Sequence, residues 1–180
     1  MRILAGKMKY KRLNYKKDEK LRPTKNIVRK SFFDTVAPAI EGSVFLDLFA
    51  GVGSMGIEAL SRGAKEAIFV DNSSRSVDII KRNVEEAGCK DSSVVLRKNA
   101  YEFNNDPRLE KVDLVYIDAP YDFDVNRFLA EFFKFVNPNA IVCVEHSSKK
   151  PPKDSFGKFV KFKTRNFGKS TLSYFGVVDE

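Results

Sequence analysis

Four consecutive residues, Asp118-Ala119-Pro120-Tyr121, place a carboxylate, a rigid turn and an aromatic ring directly after the apolar run Val115-Tyr116-Ile117. Those residue types suit one kind of chemistry, the alkylation of an exocyclic amine on a planar base. Such a nitrogen is a poor nucleophile, because its lone pair is delocalised into the ring until its hydrogens are held. Asp118 and the backbone carbonyl of Ala119 can accept those hydrogens, Pro120 stiffens the turn, and Tyr121 can stack on the ring, a contact worth about 1 to 3 kcal/mol per base. Holding the nucleophile in line with an electrophilic carbon is the main catalytic resource of such a site. No general base is required, since the amine becomes acidic once alkylated. The plainer alternative is a turn at the end of a strand with an ordinary acid and tyrosine.

A second segment, Val44-Phe45-Leu46-Asp47-Leu48-Phe49-Ala50-Gly51-Val52-Gly53-Ser54-Met55-Gly56, reads as a strand running through a glycine-rich turn into a helix. Gly51, Gly53 and Gly56 have the spacing that permits a tight turn, close backbone approach to a ligand and close packing of helix on strand. Dinucleotide enzymes share that spacing. Asp47 argues against a dinucleotide, because a carboxylate beside the helix N-terminus would repel a pyrophosphate resting there. It suits a cationic ligand instead, and S-adenosyl-L-methionine carries a sulfonium and an ammonium. Asp71 lies twenty residues after Gly51, at the end of the next apolar run, where a carboxylate can accept both hydroxyls of a ribose. Asn99 and Ala100 follow the third run, at a position from which an adenine edge is within reach. Each has a structural alternative: Asp47 and Asp71 as caps of the turns and helices that follow them, and Asn99 as an ordinary loop residue.

The elements that would hold these residues are legible in the hydropathy. Val44 to Leu48, Ala67 to Val70, Val94 to Leu96, Val112 to Ile117 and Ala140 to Val144 read as strands. Amphipathic stretches at Met55 to Ser61, Ser74 to Ala87, Ala100 to Asn104 and Val125 to Val136 read as helices between them. That alternation predicts βαβ units, hence a parallel sheet with helices on both faces, which binds ligands beyond the carboxyl ends of its strands. An earlier helix is expected from Thr24 as N-cap, through Ile27, Val28, Ser31, Phe32, Thr35 and Val36, until Pro38 stops it. After Pro151-Pro152, the run from Phe156 to Val177 with Gly168 at its centre predicts a closing antiparallel hairpin. The expected architecture is therefore an α/β fold, Rossmann-like, with a mostly parallel seven-stranded sheet. We read one domain over residues 1–180, with 1–20 as a short basic hairpin or arm and 21–180 as the body.

The formal charge of +8 over 180 residues is unevenly spread. Residues 1–30 carry +10, residues 31–148 carry −7, and residues 149–180 carry +5. Clustered Lys and Arg create the field that a polyanion such as nucleic acid meets, whereas the alternative is a pair of solvated termini. With 43% hydrophobic residues the chain can close a core, which excludes a disordered protein. No run long and apolar enough for a membrane span or a signal peptide occurs, so neither a membrane nor secretion is expected. Cys89, Cys143 and the single histidine, His146, lie far apart, so neither a zinc site nor a disulfide framework is expected and the cytoplasm is the predicted compartment. His146 and the adjacent Glu145 read as rim or structural residues rather than an acid/base pair.

The ordered set Asp47-x-Phe49-x-Gly51-x-Gly53, Asp71 and Asp118-Ala119-Pro120-Tyr121 resembles the class I S-adenosylmethionine-dependent methyltransferases that modify exocyclic amines through an Asp-Pro-Pro-Tyr/Phe motif. More narrowly, the chain resembles the bacterial small-subunit (16S) ribosomal RNA guanine-N2 methyltransferases, the ribosomal small-subunit methyltransferase D family. The further matches are Arg2-Ile3-Leu4-Ala5-Gly6, Leu21-Arg22-Pro23-Thr24 with Val28-Arg29 and Phe32-Phe33, Glu58-Ala59-Leu60-Ser61-Arg62-Gly63, and Phe167-Gly168-Lys169-Ser170-Thr171, so the resemblance spans essentially the whole length. It implies cofactor contacts at Asp47, Phe49, Gly51, Gly53, Asp71, Asn99 and Ala100, and target-amine contacts at Asp118 and Ala119 with stacking by Tyr121. It also implies that Arg22, Pro23 and Thr24 line the mouth of the pocket. Arg2, Lys7, Lys9, Lys11 and Arg12 of the arm, together with Arg29, complete the expected RNA contacts. Two positions depart from the family pattern. Ala119 stands where a proline is usual, and Lys30 stands where an acid commonly follows the arginine.

The expected activity is methylation of a guanine N2 amine in small-subunit ribosomal RNA, within an assembled or assembling subunit, by a monomer that needs S-adenosyl-L-methionine and no metal. The target base must leave its stack, at least cost from a loop. An adenine-N6 methyltransferase would use the same Asp118 to Tyr121 chemistry, but a DNA-directed one would need a larger segment for reading base edges. A non-catalytic RNA-binding or assembly protein on the same fold is encouraged only by Ala119. An NAD-linked oxidoreductase is discouraged by Asp47 and Phe49.

Overall fold

Every residue of β1 (Val44–Leu48) is buried, the mark of a central strand covered on both faces. The computed structural model describes residues 1–15 and 24–178. After α1 (Asn26–Ile40), the chain alternates β1, α2 (Ser54–Ser61), β2 (Glu66–Asp71), α3 (Ser74–Ala87), β3 (Ser93–Arg97), α4 (Ala100–Phe103), β4 (Leu114–Asp118), α5 (Val125–Phe132) and β5 (Ile141–Ser147). It closes with β6 (Ser155–Phe156), β7 (Phe159–Phe167) and β8 (Ser170–Val177). The sheet order is β3-β2-β1-β4-β5-β8-β7-β6, with parallel pairing from β3 to β5 and antiparallel pairing beyond. Eight strands replace the expected seven, because Ser155–Phe156 adds a two-residue strand at the edge.

The strands alternate between two cores, as their period of two requires. Phe45, Phe69, Tyr116 and Cys143 face the layer formed by α1, α2 and α3. Leu46, Ile68, Val115 and Val142 face α5 and Phe103 of α4. The chain runs outward from β1 to β3 and then crosses to β4 on the other side of β1, so the switch point lies between β1 and β4.

Two helices depart from the sequence pattern in their bounds. α1 begins at Asn26 behind Lys25 rather than at a Thr24 cap, and it runs past Pro38 to Ile40. Pro38 lies in the last turn, where it removes one intrahelical bond, and Ile40 two residues on is buried in the core. Ile27 is 62% exposed rather than core-facing. α5 stops at Phe132, and its C-cap residue Phe133 stacks on Phe159 with ring centroids 4.3 Å apart.

The basic segment at the amino end forms the expected hairpin, closed by Ile3 N–H to Lys11 O at 3.0 Å and Tyr10 N–H to Ile3 O at 3.0 Å. It is docked rather than free. Ile3, Met8 and Leu13 are buried, and Glu58 of α2 accepts the N–H groups of Leu4 and Ala5 at 2.8 and 3.0 Å. Gly6 lies so close to the end of α2 that a Cβ there would sit 1.8 Å from Ser61 O. Among the described residues, no helix is long and apolar enough to cross a membrane, and no group of three or more His, Cys, Asp or Glu could hold a metal ion.

Candidate functional site

Strand parity gathers the acids. Asp47 follows Phe45 by two residues, Asp71 follows Phe69, Asp118 follows Tyr116 and Glu145 follows Cys143, so all four project from the same face at the carboxyl ends of neighbouring strands. Asp47 and Asp118 line one pocket at the switch point between β1 and β4, with Phe49, Gly51, Tyr116 and Thr24. The pocket joins the two segments that the sequence singled out separately.

The glycine turn is built for close approach. Gly51 and Gly53 adopt left-handed φ values of 59° and 79°. A Cβ at Gly56 would lie 2.3 Å from Phe69 Cε1, so only glycine lets α2 lie this close to β2. Gly51 N–H donates to Asp71 Oδ2 at 2.9 Å, and Ser73 N–H donates to the other carboxylate oxygen at 2.9 Å. Asp71 thus ties the turn to its own strand end, with a second lone pair free on each oxygen. Phe49 has a left-handed φ of 63°, a conformation costing about 1 to 3 kcal/mol for a side-chain-bearing residue. Its ring meets Phe123 edge-on at 5.0 Å.

Asp47 is 2% exposed and accepts one hydrogen bond, from Gly56 N–H at 3.0 Å. Burial pushes its carboxyl up to about 7, with the Asp71 charge adding and the Gly56 bond opposing. Asp118 is pushed up to about 8, first by burial and then by the charges of Glu145 and Asp47. Glu145 stands opposite Asp118 in the β4–β5 register. Its carboxylate accepts from Tyr116 Oη at 2.5 Å and Ser170 Oγ at 2.7 Å. Glu145 is therefore a fixed acid beside Asp118, a relationship that the sequence reading left as rim structure. The sequence holds only a hint, since Asp118 and Glu145 each follow an apolar run, and their pairing depends on the register of β4 and β5. His146 bonds Ser147 O through Nδ1 and Ser173 Oγ through Nε2, both at 2.8 Å, and burial lowers its pKa.

Asn99 is occupied as a helix cap. Its Oδ1 accepts from Tyr101 N–H at 2.9 Å, while Glu102 Oε2 accepts Asn99 N–H at 3.2 Å. Ala100 behind it is buried. Beside them lies an aromatic group that the sequence reading missed: Phe123 contacts Phe49, Tyr101 and Phe128 at 5.0, 5.2 and 5.5 Å. Tyr121 is 79% exposed, with its ring presented to solvent next to Pro120.

Of the expected RNA contacts, Arg2, Lys7, Lys9, Lys11 and Arg12 are exposed on the docked hairpin. Lys11 Nζ also donates to Ala87 O at 2.7 Å, closing the C-terminus of α3. Thr24 lines the pocket; Arg22 and Pro23 lie outside the described residues. Arg29 is corrected from an RNA contact to an interior residue. It is 0% exposed, and its Nη2 donates to Arg2 O at 2.6 Å and to Asn26 Oδ1 at 3.3 Å. Burial lowers its pKa while Glu58 raises it, so Arg29 fastens the hairpin to α1 instead of meeting a phosphate.

Residues 1–176 match the model of a family described as Conserved hypothetical protein 95. The ribosomal RNA small subunit methyltransferase D of Haemophilus influenzae is 31% identical over 156 residues, covering 84% of this chain and 81% of that protein. A solved protein of Thermus thermophilus superposes with a TM-score of 0.83 at 25% identity, over 98% of this chain and 99% of the other. An RNA methyltransferase of Salinibacter ruber, solved with S-adenosyl-L-homocysteine, shares the fold at a TM-score of 0.69 and 17% identity, over 88% and 95% of the two chains.

Proposed function

Because the chain belongs to the Conserved hypothetical protein 95 family, that of ribosomal RNA small subunit methyltransferase D, we propose that it methylates the N2 amine of a guanine in small-subunit ribosomal RNA with S-adenosyl-L-methionine. The observation that carries this reading is the shared pocket of Asp47 and Asp118. One wall offers a buried acid whose ionised form needs a cation, beside a left-handed glycine turn. The other offers the strand-end acid Asp118, followed in sequence by the Ala119 carbonyl and the exposed Tyr121 ring.

The cofactor, when bound, supplies an activated methyl group on a sulfonium. Asp47, Phe49, Gly51, Gly53 and Asp71 are the residues suited to hold it; the cap uses Asn99 Oδ1, which leaves the Asn99 amide and backbone groups near Ala100 for an adenine edge. Asp118 and the Ala119 carbonyl accept the amine hydrogens, so that the nitrogen lone pair is directed at the methyl carbon. Tyr121 stacks on the extruded base. The alkylated amine is acidic and loses its proton to solvent once the methyl group is in place, so Asp118 acts by positioning rather than as a general base.

Guanine is favoured over adenine by Glu145. Guanine presents two neighbouring donors, N1–H and the N2 amine, on one edge, and two adjacent carboxylates match them. Adenine presents an acceptor at N1, which a carboxylate repels. Arg2, Lys7, Lys9 and Arg12 of the hairpin are suited to phosphates around the target, and the cytoplasm is the compartment that such a substrate implies. Tritiated methyl transfer to ribosomal RNA and small subunits from cells lacking the protein, followed by nucleoside analysis, tests this reading. N2-methylguanosine is expected. Asp118→Ala should abolish transfer while calorimetric S-adenosyl-L-methionine binding stays nearly intact; methyl transfer by that variant at the wild-type rate would refute the mechanism.

A further inference from the structure

We infer that the face shared by α1 and β7 is a second RNA-binding surface, on which Lys163 and Arg165 take backbone phosphates of an unpaired strand and Phe162 stacks on one of its bases. This rests on the RNA methyltransferase reading above and adds a binding surface away from the catalytic pocket. A groove runs between the two elements, lined by Ile27, Lys30, Asp34, Lys163 and Arg165 among others. Its acid is already neutralised, since Asp34 pairs with Lys30 at 2.6 Å. Lys163 and Arg165 make no ion pair with any described residue, in contrast to Lys161, which bonds Asp154 at 2.7 Å. The groove therefore presents uncompensated positive charge on its β7 side.

Phe162 sits at the β-bulge between Lys161 and Lys163. Its ring lies over Gly176, where a Cβ would meet it at 3.4 Å, and tilts against Tyr174 at 6.3 Å. One face of the ring is thus supported by the sheet, while the residue remains 50% exposed. Ile27, 62% exposed, stands on the α1 side of the same groove. Charged residues alone would be explained by the open edge of β7, which β6 covers only at Phe159 and Val160, because sheets guard free edges with lysine. That explanation does not account for a supported, outward-facing phenylalanine beside Lys163 and Arg165, which pair with no described residue. Aromatic platforms interleaved with basic residues are how single-stranded nucleic acid is held without sequence preference.

The surface also leads to the right place. Ile27 is three residues after Thr24, which lines the catalytic pocket. Arg165 is two residues before Phe167, which pairs with Ser170, and Ser170 Oγ donates to Glu145 beside Asp118. A strand whose extruded base occupies the pocket continues along this groove. The sequence supplied a hint in the +5 charge of residues 149–180.

The test is the full-length double variant Lys163→Ala/Arg165→Ala, measured for binding of small-subunit ribosomal RNA across a salt series. Losing two phosphate contacts should make the slope of log affinity against log salt shallower by about 1.4, which corresponds to about 25-fold weaker binding at 0.1 M salt and no difference near 1 M. Phe162→Ala should weaken binding about tenfold with the slope unchanged. Calorimetric S-adenosyl-L-methionine binding should stay at its wild-type value in all variants, which also reports that they fold. Wild-type affinity and slope in the double variant would overturn this inference and leave the enzymatic reading intact. Loss of binding only to assembled subunits, with naked RNA bound normally, would assign the face to a protein and likewise overturn it. A wild-type protein that binds neither the RNA nor small subunits would overturn both readings.

Discussion

Asp47→Asn should stabilise the ligand-free protein at alkaline pH while weakening its hold on the cofactor. The carboxyl lies buried with one hydrogen bond, from Gly56 N–H, and is raised from 3.8 to about 7. A folded-state pKa above the unfolded one means that the folded state holds the proton more tightly between those values, so stability falls as pH rises from about 4 to 7. At 1.36 kcal/mol per pH unit, that fall amounts to about 4 kcal/mol above pH 7. Asparagine keeps an acceptor for Gly56 and carries no charge, but its buried amide donors need partners, at a cost of about 1 to 3 kcal/mol. The variant is thus expected to be about 1 to 3 kcal/mol more stable than wild type at pH 8, and no more stable at pH 4.5. Urea unfolding across that range, without ligand, measures the difference. Parallel pH profiles for the two proteins would refute the reasoning, as would a variant that is less stable at pH 8 by its pH 4.5 deficit.

Glu145→Gln removes one of the charges that raise Asp118 to about 8. The Asp118 titration should move below that value, shifting the acid limb of single-turnover methyl transfer to lower pH, and discrimination against adenine-containing analogues should relax. An unchanged acid limb would separate Glu145 from Asp118. Gly56→Ala places a methyl group 2.3 Å from the buried Phe69 ring, an overpacking expected to cost about 1 to 3 kcal/mol. Thermal melting should show that loss, and a second change, Phe69→Leu, should recover part of it; a variant as stable as wild type would contradict the packing.

The strand and turn readings rested on period-two hydropathy and glycine spacing, which are local, and so β1, β2 and α3 emerge with boundaries within a residue or two. The pairing of Asp118 with Glu145 depends on register between two strands, a nonlocal fact. Arg29 shows the same limit from the other side: among so many surface cations its side chain reads as one more, and only the meeting of α1, Glu58 and the Arg2 carbonyl turns it inward. Pro38 reads as a stop because the proline rule is local, whereas burial of Ile40 holds the last turn. The capping role of Asn99 is legible too, since the glutamate three residues later is the sequence mark of a capping box.

The two kinds of charge in this chain work under different physics, and that difference is why they can coexist. Asp47 and Asp118 are shielded from water, so their effect is strong and little altered by salt. It acts on a ligand already in the pocket. The cations of the hairpin, and Lys163 and Arg165 on β7, are exposed, so their field extends about a Debye length and fades as salt rises. It acts on an approaching polyanion. Burial and the charges of Glu145 and Asp47 raise the Asp118 carboxyl to about 8, which lessens the negative charge that the site turns toward the phosphates drawn in by the basic surfaces. A cationic cofactor beside Asp47, and amine hydrogens donated to Asp118, each favour the ionised form of the acid they meet.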